Sequence, residues 1–84
     1  MTVNVLFFSV LRDLVGAEHL SLSLEAGGGD VALGEILARI YADYPALQGW
    51  DNSLLLAVNA EFASRDTFVH EGDEIALMPP VQGG

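Results

Sequence analysis

The 84-residue sequence predicts one α+β domain, in which a single mixed sheet packs against one main helix. Three observations support this fold class. Apolar segments with strand-like alternation lie near both ends, a central segment carries apolar residues at helical spacing, and hydrophobic residues make up 51% of the chain. We expect the domain to occupy residues 1–80 and a flexible C-terminal tail to occupy residues 81–84.

The first ten residues alternate as a strand does. Asn4, Leu6 and Phe8 share one parity, and three apolar residues share the other: Val3, Val5 and Phe7. Because Asn4 is polar, we expect its set to face away from the helix. A shift of one residue would exchange the two faces and would bury Leu6 and Phe8.

The next two segments complete an N-terminal hairpin. Residues 9–15 predict a short helical turn that stops at Gly16. Residues 19–24 alternate strictly between leucine and a polar residue, which predicts a half-buried strand.

The central segment predicts the main helix. Asp30 follows a glycine-rich loop and is a candidate N-cap. Apolar residues recur at helical spacing from Leu33 to Tyr44, and Pro45 ends the helix.

The remaining chain predicts two or three strands. A strand at residues 54–59 is followed by a short return strand, and the last strand, Glu74–Met78, is stopped by Pro79 and Pro80. The first and last strands are apolar enough to lie side by side at the sheet centre. This order of elements is typical of the β-grasp fold.

Composition excludes several kinds of chemistry. The chain has no cysteine, so disulfides, a thiolate nucleophile and cysteine-bound zinc are excluded. Its net charge of −9 disfavours nucleic acid and favours a basic partner, although acidity can also serve solubility alone. The absence of a long apolar run and of a signal peptide predicts a cytoplasmic protein with no membrane span.

The last six residues, Pro79–Gly84, cannot pack as a regular element. The prolines stiffen the root, and Gly83 and Gly84 leave the tip free and without side chains. A narrow channel could therefore admit the tip with its carboxylate leading. A frayed terminus without function is the alternative.

Four segments together resemble the small subunit of molybdopterin synthase, a ubiquitin-like sulfur carrier. They are Val5–Phe8, Ala57–Asn59, Gly72–Glu74 and the ending Met78–Gly84. The ending Pro-Pro-Val-Gln-Gly-Gly is the most specific of them. Members of this family often carry an aromatic residue where this chain has Met78.

The resemblance implies that Gly84 is the reactive residue. An adenylating enzyme of the ubiquitin-activating type would join Gly84 to AMP using ATP, and a persulfide sulfur would then displace AMP to leave a thiocarboxylate. The tail would enter the large synthase subunit and give its sulfur to cyclic pyranopterin monophosphate. The resemblance implies no cofactor bound by this chain, a heterotetrameric synthase, and acid–base groups on the large subunit.

The resemblance also implies a partner interface. It would comprise an outward apolar patch of Phe8, Phe62 and Met78, continued by Pro79, Pro80, Val81 and Gln82. Other functions remain open: a sulfur carrier for thiamine or cysteine synthesis, a protein modifier conjugated through Gly84, or a ubiquitin-like interaction module without tail chemistry.

Overall fold

In the computed structural model, the first and last strands pair in parallel at the centre of a five-stranded mixed sheet. The structure describes residues 1–25 and 29–80, so the predicted tail, Val81, Gln82, Gly83 and Gly84, lies outside the described residues, as does part of the glycine-rich loop. The elements are β1 (Thr2–Phe7), α1 (Val10–Val15), β2 (His19–Ser23), β3 (Val31–Ala32), α2 (Leu33–Asp43), a 3₁₀ helix (Pro45–Ser53), β4 (Leu55–Val58), β5 (Glu61–Ala63), β6 (Phe68–Val69) and β7 (Glu74–Met78).

The sheet has the strand order β2-β1-β7-β4-β5. Only the β1–β7 pair is parallel, and the other neighbours in this sheet are antiparallel. Strands β3 and β6 form a separate two-stranded ribbon that the sequence did not predict. The predicted β-grasp fold is confirmed.

The core lies between one face of the sheet and α2. The predicted parity of β1 is confirmed, because Val3, Val5 and Phe7 are all at most 2% exposed. They pack with residues of β7 and α2 in one cluster, which includes Ile75, Leu77, Leu33, Ile36, Leu37 and Ile40.

Asp30 does not cap α2, so that prediction is wrong. The chain stays extended through β3, and the N-cap is Ala32, which makes no side-chain cap hydrogen bond. The first helical N–H groups donate instead to the loop before β6: Leu33 to the Thr67 carbonyl (2.8 Å) and Gly34 to the Arg65 carbonyl (2.9 Å). Backbone acceptors therefore satisfy the donors that a capping side chain would otherwise satisfy.

A polar cluster joins three segments on the helix side. The Tyr41 hydroxyl of α2 donates to Asp51 Oδ1 in the 3₁₀ helix (2.5 Å), and Arg65 Nη2 donates to the same oxygen (2.6 Å). Burial, followed by the hydrogen bond to Asp51, raises the pKa of Tyr41 above its ordinary value. This cluster links α2, the 3₁₀ helix and the β5–β6 loop.

Candidate functional site

An apolar row crosses four strands on the sheet face opposite α2. Strand register places Leu6 of β1 beside Ala76 of β7, Ala76 beside Ala57 of β4, and Ala57 beside Phe62 of β5. The two alanines are small and their neighbours are large. The row is therefore low in the middle and high at both ends.

A shallow concavity of about 280 Å³ follows from this arrangement. Phe8 and Met78 also line it, so the three residues predicted to form the outward patch lie together. Phe8 is 45% exposed and Phe62 is 81% exposed, whereas open sheet faces commonly carry polar residues. We call the surface formed by Leu6, Phe8, Ala57, Phe62, Ala76 and Met78 the sheet-face patch.

The sheet-face patch lies where the chain leaves the sheet. Met78 is the last residue of β7, and the Phe8 N–H donates to the Leu77 carbonyl one residue before it (3.3 Å). Pro79 and Pro80 follow directly and are half-buried. Because β7 is the central strand, the C-terminal residues begin beside the patch and away from the sheet edges.

The β4–β5 turn positions Phe62. Asn59 (φ 51°) and Ala60 (φ 70°) both have positive φ, as a two-residue type I′ turn requires. The Asn59 side chain donates to Asp73 Oδ1 (2.9 Å) and accepts from the Glu74 N–H (3.0 Å). These bonds attach the hairpin that carries Phe62 to the start of β7.

One carboxylate, Glu74, lines the concavity of the sheet-face patch, and Asp73 precedes it in the chain. The backbone N–H of His70, and then the Asn59 amide, lower the pKa of Asp73, which keeps this carboxylate charged. The chain's three arginines each lie beside one of its own carboxylates: Arg12 beside Glu18, Arg39 beside Asp43, and Arg65 beside Asp51. Their charges are thus matched locally, and the remaining acidic residues supply the net charge.

Metal sites and membrane-spanning helices are absent from the part of the chain that the structure describes. Within residues 1–25 and 29–80, no group of three or more acidic or histidine side chains is arranged so that it could hold a metal ion. No helix within these ranges is both long and apolar enough to cross a bilayer.

The structure gives the positions of the described site residues and does not test their role. Phe8, Phe62 and Met78 line one concavity, Pro79 and Pro80 follow Met78 in the chain, and residues 81–84 lie outside the described residues. Sequence reasoning missed the floor formed by Ala57 and Ala76. The parity of Ala76 with Met78 could have indicated that residue, whereas Ala57 requires the register between strands.

Comparisons with known proteins identify the family. Residues 5–84 match the ThiS family. The molybdopterin synthase sulfur carrier subunit of Haemophilus influenzae is 38% identical over 82 residues, which cover 98% of this chain and 99% of that protein.

Solved structures share the fold over the whole chain. The small archaeal modifier protein SAMP1 from Haloferax volcanii superposes with a TM-score of 0.83 at 27% identity, with 100% of both chains covered. A complex of subunits 1 and 2 of the molybdopterin-converting factor from Helicobacter pylori matches with a TM-score of 0.70 at 28% identity, again over 100% of both chains. The chain belongs to the ThiS family and, within it, to the molybdopterin synthase sulfur carrier subunits.

Proposed function

We propose that the terminal carboxylate of Gly84 carries the sulfur that builds the molybdopterin dithiolene. The observation that supports this most directly is the ending Met78–Gly84, which leaves the central strand beside the sheet-face patch and closes with two glycines. Membership of the sulfur carrier family supports the same function.

The chemistry requires activation, because a carboxylate is a poor electrophile. A partner enzyme joins Gly84 to AMP using ATP, so that AMP becomes the leaving group. The outer sulfur of a persulfide on a donor protein then attacks the Gly84 carbonyl carbon, and AMP departs to leave an acyl disulfide. A thiol of a partner protein attacks the donor's sulfur and breaks the S–S bond, which releases the thiocarboxylate and leaves a disulfide on the partner proteins. The resulting thiocarboxylate gives its sulfur to cyclic pyranopterin monophosphate, and two carriers serve each dithiolene. The chain has no cysteine, so no side-chain thiol of its own can carry the sulfur.

Two partners follow from this proposal. The large subunit of molybdopterin synthase covers the sheet-face patch, takes up the tail and supplies acid–base groups. An adenylating enzyme of the ubiquitin-activating type covers the same patch during activation. The solved Helicobacter pylori complex of two converting-factor subunits supports the first partnership. In this proposal the chain itself binds no cofactor and works in the cytoplasm together with its ATP-using partner.

The experiment that tests the proposal uses the chain with its adenylating enzyme, ATP and a sulfur donor. Mass spectrometry should show a gain equal to the difference between sulfur and oxygen. Deleting Gly84 should abolish this gain and molybdopterin formation, while thermal unfolding stays unchanged because a glycine has no side chain to contribute to the core. Normal sulfur transfer by the shortened chain would contradict the proposal.

A protein modifier is the second candidate, favoured by the likeness to the archaeal modifier SAMP1. Its activation begins with the same adenylate, but Gly84 would then form an isopeptide bond with a lysine of another protein. This chain has no lysine, so it offers no side-chain amine for chain extension. Tryptic peptides carrying a remnant of Gly84 on target lysines would favour the modifier. Molybdopterin formed by the purified thiocarboxylate and large subunit would favour the sulfur carrier.

A further inference from the structure

A second groove, lined by both apolar and polar residues, lies next to the sheet-face patch. It lies between β5, an edge strand of the main sheet, and the β3–β6 ribbon, and it has a volume of about 240 Å³. Phe62 and Phe68 both line it, at 81% and 62% exposure. Val69, the other residue of β6, is fully buried, so β6 points one large apolar side chain inward and the other outward.

Phe62 lines both the sheet-face patch and this groove. The two concavities therefore share one wall, and a single partner surface that covers the patch can continue over Phe62 onto Phe68. Two phenylalanines exposed side by side on a small domain indicate an interaction surface.

The charges of the groove restrict its occupant. Glu61 and Asp73 line it, and His70, which also lines it, lies within 3.4 Å of Asp73 and 3.1 Å of Asp30. No arginine lines the groove. A second copy of this chain would bring a further net charge of −9 to the same surface, which disfavours self-association here.

We propose that the Phe62–Phe68 groove is a second docking surface, which seats an apolar side chain flanked by lysine or arginine on the protein that covers the sheet-face patch. This inference rests on the proposed function, in which that protein is the large synthase subunit. The groove adds contact area at the sheet edge, and its carboxylates favour a basic segment over a neutral one.

Binding of the cognate large subunit to Phe68→Ala tests the proposal. We expect the dissociation constant to rise by about tenfold or more, as for a buried aromatic anchor, while the unfolding midpoint stays unchanged because Phe68 faces outward. The matched control is Leu14→Ala, which truncates an exposed apolar residue of α1, on another element of the fold, and should leave the affinity unchanged.

A second pair of variants tests the charge argument. Glu61→Gln should weaken binding several-fold at low salt, and the loss should shrink as salt shortens the Debye length. Glu35→Gln removes the same charge from an exposed position on α2 and should have a smaller effect. If the two variants weaken binding equally, Glu61 acts only through the net charge of the chain. That result would overturn the inference that the groove binds a segment with lysine or arginine.

The outcomes separate this inference from the proposed function. If Phe8→Ala weakens binding and Phe68→Ala does not, the proposed partner stands and the groove proposal fails. If the unaltered chain does not bind the large subunit, the proposed function fails together with the groove proposal. Loss of affinity in both variants, with folding intact, supports both.

Discussion

Phe7 and Phe8 are adjacent, yet they belong to different surfaces. Phe7, at 2% exposure, belongs to the core, whereas Phe8, at 45% exposure, lines the sheet-face patch. The phenylalanine ring at position 7 therefore contributes to the stability of the fold, and the ring at position 8 is available to a partner. Alternation along β1 is the physical reason.

Phe8→Ala should weaken binding of the large subunit by about 30-fold or more, because loss of an interface anchor costs about 2 kcal/mol or more. Its unfolding free energy should change little, since the lost ring leaves no core cavity. Calorimetric titration with the large subunit and thermal unfolding measure the two effects.

Phe7→Ala is the matched control for this prediction. It empties a core site and should lower the unfolding free energy by about 3–5 kcal/mol. A sharp loss of stability in the Phe8 variant would instead place Phe8 among the core residues. Unchanged affinity would mean that the partner docks on another surface.

At the scale of elements, the helix layer is joined by polar contacts as well as by the core. Asp51 accepts hydrogen bonds from Tyr41 and Arg65, and both lower the pKa of Asp51 below its usual value, the Tyr41 bond having the larger effect. A carboxyl group with a depressed pKa in the folded state stabilises the fold at pH values above its unfolded pKa. That contribution is lost as the pH falls through the folded pKa.

Asp51→Asn should therefore lower the unfolding free energy at neutral pH by about 1 kcal/mol, as a weakened hydrogen-bond cluster does. The variant should also lose less stability than the parent as the pH falls from neutral to below about 3.9, the ordinary pKa of an aspartate, because it lacks the carboxylate that becomes protonated in the parent. Urea unfolding across this pH range measures both effects.

Asp43→Asn is the control variant for Asp51→Asn, because it also removes a carboxylate, in this case an exposed one. Among the ion pairs of the described residues, Asp43 pairs only with Arg39. Its acid dependence should follow that of the parent chain. An equally steep acid response in the Asp51 variant would be inconsistent with a linked role for this carboxylate.

The whole molecule carries twelve acidic residues against three basic ones. Among the ion pairs of the described residues, the three arginines pair with only three of the twelve acidic residues. Self-repulsion of like charges is stronger in the compact state than in the unfolded chain. The same excess of charge attracts a basic partner.

Salt should consequently stabilise the free domain. Raising the ionic strength from about 0.01 M to about 0.15 M shortens the Debye length from about 30 Å to about 8 Å, and we expect the unfolding midpoint to rise by roughly 2 °C or more. Differential scanning calorimetry at several sodium chloride concentrations measures the slope.

A double variant, Glu25→Gln with Glu35→Gln, reduces the net charge from −9 to −7 and should respond less to salt. Both positions are exposed, so the comparison leaves the core unchanged. A midpoint independent of salt in both proteins would refute the self-repulsion argument.

Much of the architecture was predictable from the sequence, because it depends on patterns within short segments. Alternation gave the inward and outward faces of β1, the bounds of β7 were predicted correctly, and Pro45 marked the end of α2. The chemistry proposed for the tail came from the family resemblance of the ending Met78–Gly84, and not from composition or periodicity.

Only the tertiary structure decided which distant residues meet. Register between neighbouring strands of the sheet brought Leu6, Ala76, Ala57 and Phe62 into one row, although β1 and β7 lie at opposite ends of the sequence. The β3–β6 ribbon brought Phe68 to the other side of Phe62. Pairing of β3 with β6 also kept Asp30 from capping α2, because the chain remains extended past it. These outcomes depend on contacts between segments far apart in sequence, and local periodicity contains no information about them.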